Sequence, residues 1–320
     1  MIASFADEWA LLRELDELAA SGRYRDVLEG LGKLPAAVRE SRTRFALLAA
    51  EAAGRLGDHV AGARWAQQAL DLARTRGERH AELRARNYQG AIALRRGDVE
   101  EAEGHFAAAL EVARPLSDHA MQARCLNNLG ILANMRGDTQ VARSSYRLAL
   151  AEYQQAGMPR GIAETHHNTG ISLRDEGDLR GALEAAEQAV RLATEVEDEQ
   201  LAALAATGRA ELHLLLGDPA LAAAELERAA ARYARIGFRA GLPEVWRVQA
   251  GVARARGAPE DAVRLLTDAA RLAAEHERSD TLADIERDLG AALAAVGDAE
   301  GARTARARAA ALYKTLGASR

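Results

Sequence analysis

The sequence predicts an all-α fold: a right-handed superhelical α-solenoid of about eight stacked helix–turn–helix repeats. Three observations predict it. Gly57, Gly97, Gly137, Gly177, Gly217, Gly257 and Gly297 stand forty residues apart in a chain of 320 residues with 27 glycines. Chance would produce that run with odds on the order of one in a few million, and a period in this range marks a repeat architecture. Six of the seven are followed by Asp, namely Asp58, Asp98, Asp138, Asp178, Asp218 and Asp298, with Ala258 the exception. Small residues recur at fixed offsets from every one of these turns.

Each element follows from the chemistry of its positions. Gly takes the left-handed conformation that closes one helix, and Asp accepts backbone N–H bonds as the N-cap of the next. Pro219 sits at a first helical position, where its missing N–H costs nothing. Before the first forty-residue turn, Phe5 to Ala20 reads as a helix, Gly22-Arg23 as its turn, and Asp26 to Leu34 as a short helix ended near Pro35. Residues 4–35 thus form a divergent first hairpin, and 36–317 form seven repeats, in a single solenoid over 1–320. Gly77, Gly157, Gly237 and Gly317 mark the joints between repeats, where Ser117, Glu197 and Glu277 replace Gly in alternate units. Seven before each turn lie Ala50, Gly90, Gly130, Gly170, Ala210, Ala250 and Gly290. Five after it the residue is Gly62 or Ala, and twelve after it always Ala. Bulk at such places would overpack a close helix–helix contact.

Composition agrees. Hydrophobic residues are 48%, charged 28% and aromatic only 4%, with Ala and Leu carrying the apolar content. That suits helices and suits strands badly. The net charge of −5 exerts no whole-chain pull toward nucleic acid or anionic membrane. The single cysteine, Cys125, forms no internal disulfide and fits a reducing compartment. Residues 1–12 lack the basic region and apolar core of a signal peptide, and no stretch has the length and apolarity of a membrane span. A cytoplasmic protein is therefore expected.

Gly130, Gly137-Asp138, Ala142, Tyr146 and Ala149, with Gly90, Gly97-Asp98, Ala102, Phe106 and Ala109, resemble the tetratricopeptide repeat. That family's common unit is about 34 residues. The longer period resembles the subgroup found in kinesin light chains, Pins-type adaptors and bacterial signalling regulators, and Asn127-Asn128-Leu129-Gly130 is typical of it. The resemblance implies that the first helix of each pair lines an inner groove where ligands lie.

Mapping groove positions gives the candidate residues. Thirteen before the turns come Arg44, Arg84, Arg124, Glu164, Leu204, Glu244 and Asp284, a series that changes sign midway. Ten and nine before the turns come Asn87, Tyr88, Asn127, Asn128, His167 and Asn168, with Asn134 further along its helix. An Asn ladder lowers helix propensity, and its use is to offer donors and an acceptor to the backbone of an extended peptide. Arginines beside it would fork onto acidic side chains or a free carboxylate. The expected peptide site is Arg84, Asn87, Tyr88, Arg124, Asn127, Asn128, Asn134, His167 and Asn168.

Catalytic patterns are missing. His166 and His167 are adjacent and point about 100° apart on a helix, a poor pair for one metal. The turns carry no phosphate-loop Lys-Ser or Lys-Thr, and zinc-type Cys/His spacing is absent. The expectation is a non-enzymatic adaptor or scaffold with no cofactor and no metal. Its partner is a protein or peptide segment, acidic or with a free carboxylate, and neither nucleic acid nor membrane. A sensor domain binding a small ligand is the second reading. Self-assembly is the third, through the last repeat, where Ala309, Ala310, Leu312 and Leu316 would be exposed.

Overall fold

The computed structural model describes residues 5–276 and 278–316. The described residues form seventeen α-helices and two short 3-10 turns, with no strand. Two compact units divide them, one up to Cys125 and one from Leu126. Gly317 and Glu277, expected at joints, lie outside the described residues.

The first unit holds α1 (Phe5–Ala20), α2 (Tyr24–Gly32), α3 (Ala36–Ser41), α4 (Thr43–Arg55), α5 (His59–Arg76), α6 (Arg79–Arg96), α7 (Val99–Ala113) and the start of α8 (His119–Met135). The short α3 is an element the sequence did not announce. The second unit holds the rest of α8, then α9 (Thr139–Gln155), α10 (Pro159–Asp175), α11 (Leu179–Glu195), α12 (Glu199–Leu215), α13 (Pro219–Arg235), α14 (Leu242–Ala255), α15 (Pro259–Glu275), α16 (Ser279–Ala295) and α17 (Ala299–Thr315). Within each unit consecutive helices pack as hairpins. The first helices also pack on one another: α4 on α6 in the first unit, and α10, α12, α14 and α16 in succession in the second.

The turns form as the sequence requires. The turn glycines, Gly22 included, adopt φ between +74° and +90°. In the forty-residue turns the next residue's N–H returns to the carbonyl five residues earlier, as in Asp178 N–H to Leu173 O at 2.9 Å. This closes the last helical turn and satisfies carbonyls that would otherwise lack partners. The capping Asp works at Asp58, Asp178, Asp218 and Asp298, whose carboxylates accept from the N–H three residues on. Asp98 and Asp138 make no such bond, and Asp98 instead pairs with Arg96 at 2.8 Å.

Small residues do what their spacing implies. A Cβ on Gly90 would stand 2.7 Å from the Phe106 ring, and one on Gly130 would stand 2.5 Å from the Tyr146 ring. These glycines are the floor on which an aromatic of the second helix lies flat. The alanines twelve after each turn are buried at every repeat from Ala69 to Ala309. The last hairpin departs from expectation. Ala309 is buried, and Leu312 and Leu316 pack with Ala283 and Tyr313, because their face of α17 turns toward α16. Ala310 alone of the four is exposed.

Candidate functional site

On the first-helix face of the first unit, arginines meet carboxylates from neighbouring helices. Arg44 on α4 bonds Asp16 on α1 at 2.6 Å. The Tyr88 hydroxyl on α6 donates to Glu51 on α4 at 2.6 Å and accepts from Arg84 at 3.2 Å. Burial pushes the Tyr88 hydroxyl up to about 12; Arg84 pulls the other way and Glu51 adds to the rise. Tyr88 is therefore fixed as a protonated donor. Asn87 is buried, and its Oδ1 has no hydrogen-bond partner. Arg124 on α8 is exposed, as is Arg55 on α4.

In the second unit the expected asparagines pair with each other. Asn168 Nδ2 on α10 donates to Asn127 Oδ1 on α8 at 3.1 Å, and Asn127 is buried. Asn128 stays half-buried. Asn134 Nδ2 reaches Asp175 at 3.4 Å while its Oδ1 is buried without a partner. His167 leans over Gly208 of α12, its Cε1 3.3 Å from where a Cβ would be. The missing side chain at Gly208 is what makes room for the imidazole. Burial, reinforced by the nearby Arg174, pushes His167 down to about 4, against the opposing pull of Glu211. It is neutral at physiological pH, with one donor and one acceptor.

Beside these residues runs a feature that the spacing of amides did not reveal. Arg174 on α10 bonds Glu211 on α12 at 2.5 Å and Asp175 at 2.9 Å. Glu211 also accepts from Arg247 on α14 at 2.7 Å. Arg247 further bonds Glu244 at 2.7 Å and Asp288 on α16 at 3.0 Å. Arg287 on α16 pairs with Asp284 and Asp288, each at 3.0 Å. The Tyr313 hydroxyl on α17 donates to Asp284 at 2.6 Å. The links that join neighbouring first helices, Arg174–Glu211, Arg247–Glu211 and Arg247–Asp288, carry a ladder of charge-assisted bonds across four successive first helices. Burial alone would raise Glu211, yet Arg247 and Arg174 outweigh it and hold it down at about 2. The Arg247 side chain is only 8% exposed. Its three carboxylate partners are what make that burial tolerable.

The signal for this ladder was present in the spacing. Its partners lie 37, 36 and 41 residues apart, close to one period. Tyr88–Glu51 and Asn168–Asn127 obey the same rule at 37 and 41. Opposite charges at one period plus one, or minus three or four, are neighbours on adjacent first helices. The Cys125 thiol is buried and pushed up to about 12, chiefly by that burial. No group of three or more His, Cys, Asp or Glu able to hold a metal occurs among the described residues. No described helix is long and apolar enough to cross a membrane.

Comparison with known proteins agrees with this geometry. Residues 82–155 match the family model described as tetratricopeptide repeat. A search of curated proteins gave no match. Among solved structures, the apo form of the quorum sensor NprR from B. thuringiensis has a TM-score of 0.71 at 12% identity, over 95% of this chain and 86% of that one. The Rap conjugation gene regulator of plasmid pLS20, solved with the Phr* peptide, has a TM-score of 0.70 at 14% identity, over 86% and 74%. NprR with its cognate peptide NprX has a TM-score of 0.59 at 15% identity, over 92% and 86%. These likenesses concern the fold. They show a repeat fold of stacked helices like that of these regulators and single out no narrower subgroup.

Proposed function

We propose, from the premise that this chain is built of tetratricopeptide-type repeats, that it is a peptide-binding module of an adaptor or regulatory system. It acts without chemistry of its own, and its first-helix faces hold an extended segment. The observation that carries this reading is the Asn127–Asn168 amide pair. One amide bond fixes both side chains and leaves the Asn127 Nδ2 as donor and the Asn168 Oδ1 as acceptor. A peptide group needs that combination, whatever its side chains. Asn128 and the neutral His167 extend the same polar strip. The peptide complexes of the Rap regulator and of NprR support a peptide over a small metabolite as the ligand of this fold.

The preference for acidic residues rests on the first unit. There Arg55 and Arg124 are exposed, while Asp16 and Glu51 answer Arg44 and Arg84. In the second unit Arg174, Arg247 and Arg287 are already answered by carboxylates of this chain. The test is fluorescence anisotropy with the full chain and labelled random peptides, one pool rich in Asp and Glu and the other rich in Lys. Binding of the acidic pool is expected to weaken about tenfold in Asn128→Ala/Asn168→Ala, the loss of one to two hydrogen bonds. It should also weaken in Arg124→Glu. Equal binding by wild type and the asparagine double variant would refute the site.

A further inference from the structure

We propose that the joint between α5 and α6 binds a phosphate group. Three glutamates are buried among the described residues: Glu82, Glu225 and Glu286. A buried carboxylate is tolerable once it is paired and hydrogen-bonded. Glu286 is answered by Arg308 at 3.1 Å. Glu225 is clasped by Arg209, whose Nε and Nη2 reach its two oxygens at 3.1 and 2.8 Å, while His213 and Arg228 stay 3.9 Å away.

Glu82 gathers three guanidiniums. Arg86 donates to its Oε1 from Nε at 3.2 Å and from Nη2 at 3.0 Å, and Arg79 donates to its Oε2 at 3.1 Å. Arg74 Nε stands 3.5 Å from Oε1. Arg74 lies in the last turn of α5, and Arg79 opens α6. Three positive charges thus meet one negative charge, an excess of two. Neighbouring carboxylates look elsewhere. Glu78 faces Arg76 at 4.0 Å, and Asp71 accepts from the Gln67 amide at 2.9 Å. Asp118 accepts from Met121 N–H at 3.1 Å and faces His80.

Burying Glu82 does not require this surplus, because Arg86 already bonds it twice. The Arg74 and Arg79 side chains are 50% and 52% exposed, so an anion reaches them from solvent. Each spends one N–H group on Glu82 and keeps the rest of its fork. Phosphate carries a charge of about −1.5 to −2 at neutral pH and three acceptor oxygens. That offsets the excess, and guanidinium forks suit its geometry. A second carboxylate would supply only half the charge. The scaffold does not impose the cluster: one period on, the four positions hold Arg114, His119, Gln122 and Leu126. None of its residues belongs to the candidate peptide site, so the two readings stand or fall separately.

Titration calorimetry of the full chain with inorganic phosphate, against chloride of matched ionic strength at neutral pH, tests this. Saturable binding is expected. Phosphoserine blocked at both ends is the second arm: binding as tight as that of the free ion, or tighter, assigns a phosphorylated side chain, and binding of the free ion alone assigns the ion itself. Blocked aspartate should bind at least about tenfold more weakly. Arg74→Gln/Arg79→Gln should weaken phosphate binding about tenfold or more and keep the wild-type circular dichroism, since the Arg86–Glu82 pair remains. Glu82→Gln should tighten it, because the excess rises from two to three charges. Should that variant be less stable, phosphate must raise its melting temperature more than it raises the wild type's. Absence of saturable binding overturns the proposal. So does binding that survives the arginine double variant, equal binding of aspartate, or weaker binding by Glu82→Gln.

Discussion

In the first unit Arg55 and Arg124 are exposed, whereas Arg44 is bonded to Asp16 and Arg84 to Tyr88, which bonds Glu51. In the second, Arg174, Arg247 and Arg287 are all held by carboxylates across neighbouring helices or turns. The repeat supplies the same helix positions in both units, so the backbone does not set this difference. It follows from what stands one period away. An arginine facing a carboxylate 36 to 41 residues off becomes a brace, and one without such a partner stays available to a ligand. Charge count alone therefore says little about which face binds an anion.

Removing the central cation of the ladder should break this contrast most severely. Arg247→Met leaves Glu211, Glu244 and Asp288 facing one another in a partly desolvated place. It is expected to cost about 3–5 kcal/mol in urea unfolding. Arg84→Met in the first unit leaves the Tyr88–Glu51 bond intact and should cost about 1 kcal/mol. Equal losses would mean that the ladder is ornamental.

Acid should find the second unit before the first. Glu211 ionises at about 2 in the folded chain against 4.5 for a free glutamate, so its contribution is present above 4.5 and is lost as the pH falls toward 2. His167 titrates at about 4 against 6.5, so the unfolded chain takes up that proton first, and stability falls between pH 6.5 and 4. Each is worth about 3 kcal/mol at the limit, since every tenfold change in proton affinity corresponds to about 1.4 kcal/mol. Tyr88 in the first unit behaves oppositely: raised to about 12, it contributes below pH 10 and loses that contribution as the pH rises through 12. Thermal melts of His167→Gln should show a shallower decline between pH 6.5 and 4, whereas Tyr88→Phe, which also loses the bonds to Glu51 and Arg84, should lower stability throughout and flatten the alkaline limb.

Glycine substitutions sharpen the comparison by showing what the units share. Gly90→Ala and Gly130→Ala each drive a Cβ into an aromatic ring. Both should destabilise by about 1–3 kcal/mol, partly offset by helix propensity. Gly104 on α7 has nothing within 4 Å of a built Cβ. Gly104→Ala should therefore stabilise by about 0.5–1 kcal/mol. Chemical denaturation reads all three, and unequal costs at Gly90 and Gly130 would mean that the two scaffolds differ.

The fold was legible because a turn needs a residue that tolerates positive φ and a close packing contact needs a small one. Both demands fall on single positions, and repetition multiplies the signal. The candidate site was legible only in part. Asn128 and Arg124 could be placed on a face by counting, but whether a side chain is spoken for depends on a partner about one period away. Asn127 offers both ends of its amide by sequence, yet Asn168 occupies one of them. Arg247 occupies the same register as Asn87 and Asn127, ten before its turn, but carries a cation in place of the amide that marks that register elsewhere. The short α3 escaped because six residues carry too little periodicity to register.

The ion-pair ladder also constrains how this sequence can change its length. One residue inserted within α12 would rotate Glu211 by about 100° away from both Arg174 and Arg247. Two links that lie some forty residues apart in sequence would fail together. The joints are more forgiving: α7 meets α8 through the turn Arg114–Leu116, and α13 meets α14 through Arg239–Gly241, whereas other hairpins follow each other with no such turn. Insertions and deletions in related genes should therefore collect at joints or arrive as whole blocks of forty, and a reading frame that drifts by one residue inside α10, α12, α14 or α16 should be purged.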